Sequence, residues 1–201
     1  MIRTPVALLG ATILLGALVG AASARNFSIS NQSLRGAFRA VEFETPSGPT
    51  RCPVTMEGSF HSRTAAKVLG TLMGYITSAI LGPCSVGVAT ILRETLPWHI
   101  RYSGFEGALP EIRSIIAHIV GAAWRIRESG FGITCLARSS AAEPAVVNFH
   151  RSVITHEITE ANIGGRIRDG AECGNALGQF TSDSGSVTQV GSTTRLTLTL
   201  I

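Results

Sequence analysis

One short segment combines the side chains best suited to holding a ligand. In the stretch 96–102, the aromatic residues Trp98 and Tyr102 stand beside two basic residues, His99 and Arg101. Successive side chains of a β-strand point to opposite faces, so the two rings share one face and the two basic groups share the other. Aromatic rings stack on sugars or line apolar pockets. We therefore predict a ligand-binding surface here; the alternative is that both rings are core residues.

A second stretch, 182–186, reads Ser-Asp-Ser-Gly-Ser and is the main candidate for a catalytic serine. The serine loop of chymotrypsin-like proteases has a glycine before the aspartate and a double glycine afterwards, and this chain lacks both. Asp169 and Asp183 are the only aspartates that could orient a histidine in a catalytic triad. The Gly-x-Ser-x-Gly spacing of α/β-hydrolases is also missing. We predict a polar hairpin turn at 182–186.

The histidines and acidic residues do not indicate a metal site or a glycosidase site. His150 and His156 would share one face of a strand but lie roughly 20 Å apart. His156 is followed by a glutamate, yet the H-E-x-x-H motif of zinc helices is not completed. Glu57 and Glu106 flank aromatic segments, but nothing selects two acids as paired catalytic carboxylates. We expect no metal and no cofactor.

Four cysteines occur at long and irregular spacings: Cys52, Cys84, Cys135 and Cys173. No C-x-x-C pair indicates zinc binding. An even number of cysteines in an exported chain indicates disulfides. Closing the shortest loops costs the least chain entropy. We therefore predict the bridges Cys52–Cys84 and Cys135–Cys173, each stabilising the fold by on the order of 3–4 kcal/mol.

The N-terminal residues have the three parts of a secretory signal peptide: a basic start, an apolar run over 6–19 and small residues before Ala24. The apolar run is shorter than the roughly 20 residues of a membrane-spanning helix. We expect cleavage after Ala24, a secreted or envelope-associated product and no transmembrane span after cleavage. The predicted segments are a signal peptide at 1–24, a polar leader at 25–34 and one β-rich domain at 35–201.

The charge of the chain argues against a nucleic-acid partner. The formal net charge is only +4, and the arginines are scattered rather than clustered. Lys67 is the single lysine among 17 basic residues. The codon usage of a GC-rich bacterial genome explains this bias better than a phosphate-binding surface does.

Four segments alternate apolar and polar side chains with a period of two, which is the pattern of a strand with one buried face. They are 54–60, 98–102, 131–135 and 195–200. Turn-forming residues between such short strands are typical of a sandwich or a barrel. We therefore predict an all-β fold, an antiparallel β-sandwich or barrel.

Two further segments, 66–81 and 110–126, also place apolar residues on one helical face. Gly70, Gly74 and Gly121 lie inside them, and each would cost about 1 kcal/mol in a helix. Their β-branched residues favour a pleated sheet. We predict strands for both segments; if either were helical, the class would be α+β.

These observations predict a secreted or envelope-associated, non-catalytic β domain. Its partner would be a small apolar ligand, a glycan or another envelope component. The alternative is a secreted hydrolase whose active site the sequence does not reveal, and self-assembly through exposed strands is a third reading. A polar cleft with clustered histidine, serine or acidic side chains would favour the hydrolase. An apolar cavity or a flat apolar patch would favour the binding domain.

Overall fold

The computed structural model describes residues 26–45, 48–127, 132, 134–169 and 178–201 of the chain. The strands in these residues are β1 (Asn26–Ile29), β2 (Ser33–Phe43), β3 (Thr50–Phe60), β4 (Thr64–Ala66), β5 (Leu72–Leu81), β6 (Val88–Ile91), β7 (Trp98–Ala108), β8 (Glu111–Val120), β9 (Ala123–Arg127), β10 (Thr134–Arg138), β11 (Ala145–Arg151), β12 (Ile158–Asp169), β13 (Gly178–Ser182), β14 (Ser186–Thr188) and β15 (Leu198–Leu200). The only helical turn described is a 3-10 turn at Arg93–Thr95. The all-β prediction is confirmed.

The two segments with helical periodicity are strands, as predicted. Segment 66–81 contains β5, and segment 110–126 contains β8 and most of β9. Gly121 separates β8 from β9 with a φ of 91°, a left-handed conformation that glycine adopts without steric cost. Gly74 lies so close to β3 that a Cβ there would overlap the carbonyl oxygen of Ser59. These glycines therefore serve a bend and a close strand approach.

Eight antiparallel strands close into a barrel in the order β11-β8-β7-β5-β3-β2-β13-β12, with β12 pairing back to β11. The long strand β12 pairs with β11 along its first half and with β13 farther on. Its last residues pair with β10, which continues the sheet through β9 to β6. In the order of paired strands, β6 is therefore an end of the sheet.

A second, three-stranded sheet has the order β15-β1-β4. Its central strand β1 lies within 25–34, the segment that we predicted to be a polar leader. Phe27 and Ile29 of β1 are 0% and 1% exposed, and the Phe27 ring lies 5.7 Å from that of Tyr102. Residues 26–34 are therefore part of the packed domain. The polar composition of this segment was misleading, because two apolar side chains are enough to bury one face of a short strand.

Side chains fill the inside of the barrel. A residual apolar cavity of about 20 Å³ remains there. Its walls include Leu34, Phe38, Met56, Ile76, Ile100, Ile119, Val147 and Phe149. Ligand pockets measure roughly 300–1,000 Å³, and an eight-stranded barrel is just wide enough for its own side chains. Among the described residues, this cavity is therefore too small for a small apolar ligand, one of the predicted partners.

The predicted Cys52–Cys84 disulfide is present. It ties β3 to the connector between β5 and β6. Cys135 is also disulfide-bonded; Cys173, its predicted partner, lies outside the described residues. The predicted signal peptide at 1–24 also lies outside them. Among the residues described, no helix has the length and apolar character needed to cross a membrane.

Candidate functional site

The two aromatic residues of the predicted ligand surface face the core. Trp98 is 0% exposed and Tyr102 is 3% exposed. The Trp98 ring lies 5.3 Å from that of Trp124, and its Nε1 donates a hydrogen bond of 2.9 Å to Thr95 Oγ1. Burial also raises the pKa of the Tyr102 phenol. Both rings are therefore core residues, which was the alternative to a ligand surface. Neither ring is accessible for stacking on a sugar.

The two basic residues of that segment lie on the opposite face of β7 and are partly exposed. The His99 ring packs edge-on against Tyr75 at 5.2 Å, and Arg101 donates through Nη1 to the carbonyl oxygen of Gly70 at 3.1 Å. Each group is engaged with a neighbouring strand or loop. The four predicted residues therefore do not converge on one pocket.

The structure separates the two histidines that a metal site would need. His150 lies on β11 opposite Glu160 of β12, whereas His156 lies in the following turn with a φ of 61°. The Nδ1 atom of His156 contacts Nη2 of the buried Arg151. Because a guanidinium group has only donors, this Nδ1 accepts the hydrogen bond. Among the residues described, no three potential metal ligands come together.

A polar cleft of about 770 Å³ opens on the outside of the barrel between β2, β12 and the chain that joins β13 to β14. We call it the β2–β12 cleft. Its lining residues are Ala37, Phe38, Arg39, Thr159, Glu160, Asp183, Ser184, Gly185 and Ser186. Most of these side chains are polar and several are exposed, so the cleft offers hydrogen-bonding groups to solvent or to a ligand.

The floor of the cleft is a short segment that interrupts the pairing of β13 and β14 with β2. Both β13 and β14 pair with β2, and residues 183–185 lie between them. Gly185 instead forms a bridge with Ala161 of β12, through hydrogen bonds of 2.7 and 2.8 Å. A Cβ at Gly185 would overlap the Phe38 ring, so the chain can pass this close only as glycine. The prediction of a hairpin turn at 182–186 is therefore wrong, because the chain continues in the same direction along β2.

Three charged groups line the cleft and form no ion pair with another described residue. Arg39, Glu160 and Asp183 take part in neither of the two ion pairs found among the described residues, Arg35–Glu57 and Arg51–Glu42. The pKa of Arg51 is raised mainly by its hydrogen bond and charge contact with Glu42, and less by the charge of Asp183. The cleft therefore presents one cation and two carboxylates that a polar ligand can engage.

The cleft has serines and acidic side chains, which we named above as favouring a hydrolase, but its lining includes no histidine. Ser184 and Ser186 therefore have no imidazole base within the cleft. Sequence inspection singled out the 182–186 stretch for its serines. It missed the cleft, because Arg39, Glu160 and Asp183 come from segments far apart in the chain.

A serine–histidine pair that the sequence did not reveal lies on the outer face of β7 and β8. Ser103 Oγ is 2.8 Å from His118 Nε2. Burial lowers the pKa of His118, so its imidazole is neutral at pH 7 and can accept the serine hydrogen. The β7–β8 register shifts between Tyr102 and Gly104, at the position of Ser103. These two residues are 15 positions apart in the sequence and meet beside a β-bulge, which hydrophobic periodicity does not reveal.

A polar row crosses the same outer face farther along. Ser114 of β8 is fully buried and donates to Glu106 Oε2 of β7 at 2.8 Å. Next to it, Asn162 Nδ2 lies 3.4 Å from His150 Nε2, and the buried Oδ1 of Asn162 has no hydrogen-bond partner among the described residues. The carboxylate of Glu106 is thus held by a serine hydroxyl.

Comparison of the chain with protein-family models, with curated proteins and with solved structures found no match. The geometry of the β2–β12 cleft and of the Ser103–His118 pair therefore carries the functional argument.

Proposed function

We propose that this protein is an exported, non-catalytic binding domain that holds a hydroxyl-rich polar ligand, such as a glycan, in the β2–β12 cleft. The observation that carries the proposal is the cleft itself, about 770 Å³ in volume and lined by Arg39, Glu160 and Asp183, which form no ion pair with a described residue. Its volume lies within the roughly 300–1,000 Å³ range of small-molecule sites.

The chemistry of the lining favours hydroxyl groups over an apolar ligand. Carboxylate oxygens accept hydrogen bonds from hydroxyl groups, and a guanidinium group donates several in a fixed plane. Thr159, Ser184 and Ser186 add groups that both donate and accept. Phe38, the one aromatic residue among the described lining residues, is only 4% exposed. Recognition would therefore rest on hydrogen bonds rather than on stacking.

The disulfide supports the proposed location of the protein. Disulfides form and persist in oxidising compartments such as the periplasm or the extracellular space. The Cys52–Cys84 bridge therefore agrees with export, as does the signal-peptide pattern of residues 1–24. Glycans and other envelope components are abundant in that compartment.

A glycan array probed with the fluorescently labelled protein tests the proposal. We expect binding to a subset of glycans and at least about a tenfold loss for Asp183→Asn or Glu160→Gln, since hydrogen bonds to charged groups are the strong ones. Glu94→Gln is the matched control, because Glu94 is exposed and lies outside the cleft lining. Binding to no glycan, or equal binding by the cleft variants, would contradict the proposal.

Hydrolysis is the second candidate, and the Ser103–His118 pair is the observation that favours it. A serine hydroxyl held by a neutral histidine is the nucleophile and base of acyl-transfer enzymes. In reaction with a fluorophosphonate, the serine oxygen would bond to phosphorus, fluoride would leave and the hydroxyl proton would pass to His118 Nε2.

Intact-mass spectrometry after fluorophosphonate treatment tests this candidate. A hydrolase would gain one phosphonyl group at Ser103, and Ser103→Ala would abolish the gain while Ser184→Ala would not. An unchanged mass would exclude a nucleophilic Ser103 and leave the binding proposal untouched, because the two sites share no residue.

A further inference from the structure

Strand β5 has an edge that is only partly paired. On one side it pairs with β3 over most of its length, from Gly74 to Leu81. On the other side its pairing with β7 ends at Ile76, opposite Trp98. Residues 77–81 of β5 therefore have no strand partner on this side among the described residues.

Strand β6 presents a second open edge. It pairs with β9 from Val88 to Ile91 and with no other described strand. A groove of about 310 Å³ lies between this edge and β5. Its lining residues are Ala79, Ile80 and Leu81 of β5, Ala89, Thr90 and Ile91 of β6, and Arg93. We call this groove, with the open edge of β6, the β6 groove.

The backbone of an open strand edge has unpaired N–H and C=O groups that another extended chain can satisfy. Proteins use such edges to bind peptides by strand addition, in which main-chain hydrogen bonds supply affinity and side chains supply specificity. The apolar rim of the β6 groove adds to this. Ile80 and Val88 are 58% and 60% exposed, and a partner would bury them.

The surface around the groove is basic. Arg125 and Arg127 of β9 lie opposite Thr90 and Val88 of β6 and are exposed, as is Arg93. None of the three arginines forms an ion pair with a described residue. Glu94, next to Arg93, is the one acidic residue of the described segment that joins β6 to β7. Charge complementarity therefore favours an acidic partner.

The connector between β5 and β6, which borders the groove, is held in place before any partner arrives. The Cys52–Cys84 disulfide anchors the connector between β5 and β6 to β3. Gly82 and Ser85 of the connector also donate backbone hydrogen bonds of 2.8 Å to the carbonyl oxygens of Pro53 and Arg51. A fixed connector lowers the ordering cost of binding.

We infer that the β6 groove is a docking site for an extended acidic peptide segment of a partner protein. The segment adds as a strand along the open edge of β6. Its apolar side chains cover Ile80 and Val88, and its carboxylates face Arg93, Arg125 and Arg127. The groove shares no residue with the β2–β12 cleft, so this inference goes beyond the proposed ligand site.

Fluorescence anisotropy with two capped, fluorescein-labelled octapeptides tests the inference, one alternating glutamate with valine and the other lysine with valine. We expect saturable binding of the glutamate peptide that weakens with salt, and no binding of the lysine peptide. Arg125→Glu with Arg127→Glu should weaken binding by about tenfold or more, because two ion pairs are lost and repulsion is added. Arg63→Glu is the control, exposed and outside the groove.

Amide chemical shifts locate the peptide. Strand addition predicts the largest changes in residues 77–81 and 88–91, whereas binding at the cleft would move the amides around Arg39 and Asp183. The inference is overturned if the glutamate peptide fails to bind, if the lysine peptide binds equally, or if the shifts fall at the cleft. A dimer formed through β6 without peptide would also overturn it, because a second copy would then occupy the edge.

Discussion

The Cys52–Cys84 bridge allows a quantitative prediction of stability. We consider the double variant Cys52→Ala with Cys84→Ala, which removes the cross-link and leaves no unpaired thiol at this site. The bridge joins residues separated by 32 positions. In the native state it holds the β5–β6 connector against β3, and in the unfolded state it closes a loop that the variant would leave open.

The loop length gives the magnitude. A closed loop of about 32 residues removes about 12 cal/mol/K of entropy from the unfolded chain, or about 3.7 kcal/mol at 25 °C. For a domain of this size, 1 kcal/mol corresponds to roughly 2–4 °C in melting temperature. We therefore expect the double variant to melt roughly 7–15 °C below the wild type.

Urea unfolding followed by circular dichroism measures the change in the free energy of unfolding. The dependence of that free energy on urea should also become steeper, because an unfolded chain without the cross-link exposes more surface. Val86→Ala, an exposed change in the same connector, is the control and should stay within about 0.5 kcal/mol of the wild type. Reduction of the wild type cannot replace the variant, because Cys135 is also disulfide-bonded.

A loss of less than about 1 kcal/mol would refute the loop-entropy argument. An unchanged urea dependence together with a large loss would instead place the effect in the native state.

Three further predictions concern single side chains. Gly74→Ala should lower the free energy of unfolding, measured with urea, by about 2 kcal/mol, because the new methyl group overlaps the backbone of β3. Gly104→Ala, with open space around it, is the control and should lower it by less than about 0.5 kcal/mol. Arg151→Met should lower the free energy of unfolding by about 3 kcal/mol in the same assay, because the carbonyl oxygens of Leu198 and Ile112 lose the donors that now lie 2.7 Å away. A loss below about 1 kcal/mol would mean that water molecules replace the guanidinium group as donors. Burial lowers the pKa of His118, so its contribution to stability is complete above the ordinary histidine pKa of about 6.5 and is lost as the pH falls through its lower value in the fold. Melting curves from pH 8 to pH 5 should show this loss, and His118→Gln should show a smaller one.

Local patterns in the sequence were enough to predict several of the strands, although the predicted segment 131–135 lies partly outside the described residues. The alternation at 54–60 and 98–102 corresponds to β3 and the start of β7, and glycines together with β-branched residues correctly favoured strands over helices at 66–81 and 110–126. The Cys52–Cys84 pairing also followed from short-range reasoning, since loop entropy depends only on separation along the chain. Each of these features is a property of one segment or of one spacing.

The arrangement of segments in space was beyond such reasoning. Alternation showed that Trp98 and Tyr102 share a face, but whether that face points into the barrel depends on how the sheet closes. Ser103 meets His118 where a β-bulge shifts the register between β7 and β8, and the sequence does not reveal which strands pair or in which register. The cleft needs residues of β2, β12 and the β13–β14 connector, and no spacing in the chain records their proximity.

The pairing of β1 with β15 has a consequence for how the chain acquires its structure. Phe27 lies opposite Leu200, so the first and last strands described depend on each other for their hydrogen bonds. Contacts this distant in sequence fold slowly, and β15 can reach β1 only after the residues between them have been synthesised. The three-stranded sheet is therefore completed only after β15 has left the ribosome. If the protein is exported, as we propose, in an unfolded state, this sheet would form only after both strands have crossed the membrane.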